Sequence, residues 1–321
     1  MKSINSKKIK IDKLPDRHGI LSFFKQKKCL YLTKTSSIKR KYRILKDKSN
    51  TEEILSELFN RADTINWQEY NFLFSALVEE KKALYQQKPE YNRLYKDFKD
   101  YVYLSFDFSS VPFLKISENT LKKRYYAGPF HNRFFVYDFL FTMSKLFQYP
   151  LCEGKDYPCK LYKEKQCKGY CVSDKQQLTQ IFKQDYLTVN AALIKKLTNS
   201  YEKYLDELNF KKSELLRKQI KIIKKYYNYI RFFHISKRVN MEFEEDKQFF
   251  SLKNGKIKEI KSDSEHYEFP LEEIKYRDNE YLAVNKNQLN EMWIIYNHLS
   301  DKFSNRFNKI YTRSVNNFFE R

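Results

Sequence analysis

The chain has 321 residues, 41% of them hydrophobic, which is enough for two or three small domains with real cores. Its 62 Lys and Arg outnumber 40 Asp and Glu, and the net charge of +22 points to a polyanionic partner, because neutralised phosphates release condensed counterions. No apolar run approaches the ~20 residues that span a bilayer, and the opening MKSINSKKIKIDK has no signal-type hydrophobic stretch, so the expectation is a cytoplasmic protein with no membrane partner.

The charge is concentrated. Residues 1–50 hold 16 Lys or Arg against 3 acids, and residues 211–231 hold 8 against 1. With 5 Gly and 7 Pro as breaks, most of the chain is expected to be regular structure. Residues 18–33, HGILSFFKQKKCLYLT, predict two short strands around a basic turn, with Ile20, Phe23, Cys29, Tyr31 and Leu32 as the apolar positions. Ser36 or Ser37 can cap a basic helix reaching about Asp47, and Asn50-Thr51-Glu52-Glu53 predicts a second helix from about Thr51. A third runs from Phe72 to Gln87 and stops at Lys88-Pro89.

Residues 101–150 are aromatic-rich, with a turn expected at Ala127-Gly128-Pro129 and an apolar helix from Phe134 to Phe147. Four of the five cysteines follow, at Cys152, Cys159, Cys167 and Cys171; in a reducing compartment such clustering favours a metal over disulfides. Cys29, alone in a strand, reads as core. Residues 175–233 read as almost entirely helical, with Leu205, Leu208, Leu215, Leu216, Ile220 and Ile223 on one face of a strongly basic helix that can form a hairpin. Asn254-Gly255 between strand-like runs signals a type I′ hairpin. Leu289, Met292, Tyr296, Leu299 and Phe303 mark the core face of a last helix.

Four segments carry a resemblance. LPDRHGILSFFKQKKCLYLTK, residues 14–34, resembles the opening of the UvrC-type GIY-YIG nuclease domain, with Gly19-Ile20-Leu21 at the first motif and Tyr31-Leu32-Thr33-Lys34 at the second. ALVEEKKALYQQKPEYNRLYKDFKDYVYL, residues 76–104, is similar to that family's glutamate helix and the Lys-Pro-x-Tyr-Asn turn after it. YYAGPF at 125–130 and the Cys159, Cys167 and Cys171 spacing resemble the UvrC cysteine region, with a shorter gap from Cys152 to Cys159. LDELNFKKSELLRKQIKIIKK, residues 205–225, looks like the UVR motif through Leu208, Phe210, Leu215, Leu216, Arg217 and Ile220.

The resemblance implies a mixed α/β (α+β) fold in which a small antiparallel sheet is flanked by helices. Expected boundaries are a nuclease-like domain over 1–100 with a basic N-terminal arm, a linker and four-cysteine region over 101–172, a helical region over 173–235, and an α+β appendage over 236–321. It also implies site roles: Glu80 as ligand of Mg²⁺ or Mn²⁺, Tyr31 as general base, Lys34 and Lys41 as phosphate stabilisers, Asn92 as a further catalytic group, and Arg40 and Arg43 as DNA contacts. Those residue types suit phosphodiester hydrolysis, which needs a polarised water, a cation for developing charge and a means of orienting the phosphate. Three positions depart from the family motif: Leu21 replaces a tyrosine, Thr33 a glycine and Lys41 an arginine.

The implied cofactor on the cysteines is a [4Fe-4S] cluster, with structural Zn²⁺ as the alternative. The implied partners are damaged double-stranded DNA and a UvrB-like helicase subunit, docked through the UVR motif. The implied process is nucleotide excision repair within the SOS response. Full-length members continue into a second, RNase H-like nuclease and tandem helix-hairpin-helix modules; residues 236–321 carry no pattern assignable to chemistry. Two function classes result, a UvrC-type endonuclease and a catalytically weakened DNA-binding repair scaffold on the same fold.

Overall fold

A computed structural model describes residues 2–6, 11–107, 111–121, 124–152, 157–171, 175–271 and 276–320. In chain order the elements begin with β1 (Lys2–Asn5), β2 (Gly19–Lys25), β3 (Lys28–Thr35), α1 (Ile38–Lys48), α2 (Glu53–Arg61), β4 (Thr64–Glu69), α3 (Leu73–Gln87) and α4 (Glu90–Leu94). The middle of the chain forms β5 (Val102–Phe106), β6 (Leu114–Ser117), β7 (Tyr125–Phe130), α5 (Arg133–Phe147), α6 (Lys160–Lys163), α7 (Lys175–Tyr186), α8 (Ala191–Asp206) and α9 (Phe210–Ser236). The rest comprises β8 (Met241–Glu245), β9 (Gln248–Lys253), β10 (Lys256–Lys261), β11 (His266–Glu268), β12 (Leu282–Ala283), α10 (Leu289–Leu299) and α11 (Ser304–Phe319). The fold is mixed α/β with small, largely antiparallel sheets, and none of the described helices is long and apolar enough to cross a membrane.

The chain divides into two compact units, one of Met1–Asp97, Glu242–Ser251 and Lys256–Leu271, the other of the remaining residues. The segment 236–321, read from the sequence as one appendage, is thus shared between the two units.

In the first unit a sheet of order β1-β4-β2-β3 has all its pairs antiparallel. The expected hairpin is β2-β3, closed by Gln26-Lys27 with Gln26 at φ 54°. Leu21, Phe23, Leu30, Tyr31 and Ile65 from the sheet pack with Ile38, Tyr42 and Leu45 of α1, Leu55 and Leu58 of α2, and Tyr91 of α4. Ser37 caps α1, its side chain accepting from the Arg40 N–H at 3.1 Å. The second helix departs from expectation. It begins at Glu53 with no side-chain cap, because the Thr51 hydroxyl donates back to the Lys48 carbonyl at the end of α1. α3 stops at Lys88, in the left-handed region at φ 44°, just before Pro89.

A second sheet, of order β11-β10-β9-β8, lies largely in the same unit. Asn254 and Gly255 have φ of 53° and 70°, the pair of positive values that the I′ turn requires. The β8-β9 turn does the same with Asp246 and Lys247, which carry no glycine signal. Phe74 of α3 packs against Phe243 and Phe250 at ring-centroid distances of 6.0 and 5.4 Å.

In the second unit the sheet order is β12-β7-β5-β6, with β12 parallel to β7 and the other pairs antiparallel. Ala127-Gly128-Pro129, expected as a turn, lies inside β7. A register shift against β5 between Val102 and Leu104 absorbs the irregular backbone, with Gly128 at φ +133°. α5 buries Phe135, Val136, Phe139, Leu140 and Met143, and Phe139 stacks on Tyr226 of α9 with centroids 3.5 Å apart.

The α8-α9 hairpin forms as expected, but its apolar face does not hold together. Leu216, Ile220 and Ile223 are buried, whereas Leu208 and Leu215 are 71% and 59% exposed. The expected last helix ends at Leu299, and Phe303 is the N-cap of the further helix α11, which packs on α9.

Candidate functional site

β3 positions the site in the first unit. Glu80, on the buried face of α3 and 7% exposed, reaches the end of this strand. Its Oε1 accepts the Lys34 backbone N–H at 2.8 Å and its Oε2 accepts Lys34 Nζ at 2.6 Å. The carboxylate is therefore gripped twice by one residue, in a setting where both partners are largely withdrawn from water.

Asn92, on α4, works on the same strand. Its Oδ1 accepts the Leu32 N–H at 2.9 Å and its Nδ2 donates to the Leu32 carbonyl at 2.7 Å, completing the edge of β3 as a neighbouring strand would. Asn92→Ala should cost about 2–3 kcal/mol, two hydrogen bonds lost and two backbone groups left unpaired, measured by urea denaturation. Asn92→Asp separates the two contacts, because a carboxylate still accepts from the N–H but opposes the carbonyl. If both variants are as stable as the parent, the clip has no structural weight.

Tyr31 is 3% exposed and its ring meets Tyr95 edge-on with centroids 6.0 Å apart. Burial, and then the charge of Asp97, holds its hydroxyl well above the usual tyrosine range. Lys41 Nζ pairs with Asp97 Oδ2 at 3.3 Å. Asp97 was not among the residues singled out from sequence, although it ends the Leu94-Tyr95-Lys96-Asp97 stretch of the second resembling block. Arg40 donates through Nη2 to Ser36 Oγ at 2.9 Å, and Arg43 is exposed. Of the altered positions, Leu21 is fully buried, and Thr33 is buried with its hydroxyl donating to the Lys34 carbonyl at 3.2 Å.

The cysteine segment lies in the second unit. Cys167 is buried, and its sulfur accepts from the Cys152 thiol and from the backbone N–H groups of Gly169, Tyr170 and Lys168, which together bring it down to about 6. The hydrogen bond to Cys167, then burial and the neighbouring Cys167, Cys159 and Cys171, push Cys152 upward. Gly169 makes the turn possible. Its φ is +77°, and a Cβ there would meet the Tyr162 ring at 3.0 Å. A thiol held below its usual range suits a thiolate ligand of a thiophilic metal. The four cysteines share one locality, yet no three His, Cys, Asp or Glu among the described residues stand together at metal-binding distance.

The residues of the UVR-like block separate. Leu208, Phe210 and Leu215 are exposed, Leu216 and Ile220 are buried, and Arg217 pairs with Glu214 through Nε at 2.7 Å. Asn209 caps α9 by accepting from the Lys212 N–H at 3.3 Å.

Comparison with known proteins gives one family match, the middle domain of the UvrC/Cho excinucleases over residues 101–180, which contains all four clustered cysteines. The UvrABC system protein C of Aliarcobacter butzleri is 24% identical over 94% of this chain and 55% of its own length. That of Fusobacterium nucleatum is 27% identical over 67% of this chain and 38% of its own, and that of Fervidobacterium nodosum 25% over 51% and 30%. The chain spans about a third of the length of the first curated relatives it matches. Among solved structures, the GIY-YIG N-terminal endonuclease domain of UvrC from Thermotoga maritima, bound to magnesium as its catalytic divalent cation, is 18% identical, covering 26% of this chain and 90% of that one at a TM-score of 0.24. With the middle-domain match and relatives aligned along most of its length, the chain is a UvrC-like protein.

Proposed function

We propose that the chain is a DNA-repair endonuclease of the UvrC type, incising damaged double-stranded DNA in nucleotide excision repair. The observation that carries this reading is the single cluster at the end of β3, where Lys34, Glu80, Tyr31 and the Lys41-Asp97 pair are tied to the same strand and to α1. Glu80 fits a Mg²⁺ site of the kind that takes one carboxylate and fills the rest of its shell with water and phosphate oxygens. When bound, the cation would polarise the scissile phosphate or its attacking water. Lys34 and Lys41 supply positive charge for the developing phosphorane. Tyr31, the candidate general base, is proposed to meet a phosphate oxygen or the attacking water through its hydroxyl, which burial holds above the usual tyrosine range.

Cys152, Cys159, Cys167 and Cys171 are proposed to hold an iron-sulfur cluster, with zinc as the alternative, that orders the middle domain. A UvrB-like subunit is proposed to dock on the α8-α9 hairpin, where Leu208, Phe210 and Leu215 face outward.

A second reading, a weakened repair scaffold, is favoured by one specific observation. The Lys34 ammonium lies on Glu80 Oε2 at 2.6 Å, where a cation would compete with it. Strand cleavage separates the two. Incubation with a lesion-bearing duplex and Mg²⁺ should give a defined nick that is lost with chelator, and binding without any nick would leave the scaffold.

A further inference from the structure

Outside the proposed nuclease site, the most unusual surface is on α5. Phe134, Tyr137 and Phe141 are 76%, 53% and 44% exposed, and their spacing of three and then four residues aligns them along one side of the helix. Single exposed apolar residues are ordinary, but three aromatic rings in line on one helix are not. The rings of Tyr137 and Phe141 are nearly parallel, with centroids 6.4 Å apart and planes 13° from each other. Beneath them Phe135 and Phe139 anchor α5 to Tyr229 and Tyr226 of α9, so the exposed rings ride on a rigid support.

The chemistry around the stripe is cationic. Lys145 Nζ sits 5.3 Å from the Phe141 ring centroid, and Lys225 Nζ, from α9, sits 4.5 Å from that of Phe135. Lys218, Lys221 and Lys225 are all exposed, spaced three and four residues apart on α9, which packs against α5. Carboxylates are present too: Asp138 lies on α5 itself, Glu118 pairs with Arg133 at 2.8 Å, and Glu214 pairs with Lys218 at 3.6 Å. Exposed rings with the Lys145 and Lys225 ammonium groups set against aromatics of the same helix suit a polyanionic backbone carrying flat, unpaired rings. The exposed positions of α5 are Arg133, Phe134, Tyr137, Asp138, Phe141 and Lys145, rings and charges with no aliphatic side chain among them, which favours stacking against flat rings over insertion into a membrane.

We propose that this face of α5, flanked by the α9 lysines, is a binding platform for single-stranded DNA, on which unpaired bases stack on Phe134, Tyr137 and Phe141. The inference rests on the reading of the chain as a DNA-repair protein and adds to it a second contact, specific for unpaired strand. The unaltered full chain is titrated with labelled oligothymidine of about 15 nucleotides and with a duplex of equal length, the single strand being about the largest site one such surface covers.

Phe134→Ala and Phe141→Ala should each weaken oligothymidine binding about tenfold, in line with the loss of one stacking partner, and leave duplex affinity within about twofold. Phe141→Trp should retain binding, with its emission quenched as the oligonucleotide is added. Unchanged single-strand affinity in the triple alanine variant, or an equal loss on duplex, overturns the proposal. Concentration-dependent sedimentation that the triple variant abolishes overturns it too, assigning the face to a second copy of the chain. Duplex binding absent from the unaltered chain refutes the broader repair reading, whatever the single strand does.

Discussion

Glu80→Gln is expected to slow Mg²⁺-dependent nicking about 10²–10³-fold while leaving duplex affinity unchanged. The amide is isosteric and its oxygen can still accept the Lys34 N–H, so the strand-to-helix tie survives while the negative charge that would bind a cation is gone. Glu80→Ala is the coarser test, because it strands the Lys34 ammonium in a largely buried setting at a cost of about 3 kcal/mol. Lys41→Arg should act in the opposite direction. A planar guanidinium can keep the Asp97 contact and still present a forked pair of donors to a phosphate, which a lysine on a flexible stem cannot. Restoring tyrosine at position 21 is less informative, since Leu21 has no exposed surface and the larger ring would overpack its surroundings by about 1–3 kcal/mol. Full nicking by Glu80→Gln would place the cation elsewhere. No nicking by the parent or by Lys41→Arg, with DNA binding intact, would establish the scaffold.

If the four cysteines hold the proposed metal, Cys167→Ser is expected to remove it from the protein and to loosen the middle of the second unit. Coordination by the four cysteines would offset the repulsion of their thiolates, and for structural sites such coordination is worth on the order of 10 kcal/mol of folding free energy. Cys167 is the buried cysteine of the cluster, and its thiol is held below its usual range by the neighbouring Cys152 thiol and by backbone N–H groups of residues 168–170. Protein purified without oxygen should be brown, carry iron and sulfide, and show thiolate-to-iron absorption. The serine variant should be colourless and cut by protease within residues 149–186. Colourless parent protein with one equivalent of zinc keeps the site but replaces the cluster, and parent protein free of both metals refutes it.

Elements whose signal is local could be read directly. Ser37 caps α1 with its own side chain, Lys88-Pro89 ends α3, and Asn254-Gly255 supplies the positive φ values its turn needs. The errors arose where a distant or competing partner decides. Thr51 bonds backwards to Lys48 instead of capping forwards, and Gly128-Pro129 is drawn into a strand by β5. β1 is a strand only because β4 pairs with it across 60 residues.

The same division runs through the site. Sequence alone determined that this chain is basic, that its cysteines cluster, and that Tyr31, Lys34, Lys41, Glu80 and Asn92 occur in the order and spacing of one nuclease family. Only the tertiary structure decided what they do to one another. It set Asn92 as a clip on Leu32, Glu80 in the double grip of Lys34, and Asp97 beside Lys41. It also divided the UVR-like residues between core and surface, and left three rings of α5 facing outward. Spacing along a chain fixes which side chains share a strand or a helix face, but burial and pairing depend on which other element covers that face. That is settled by packing over the whole unit.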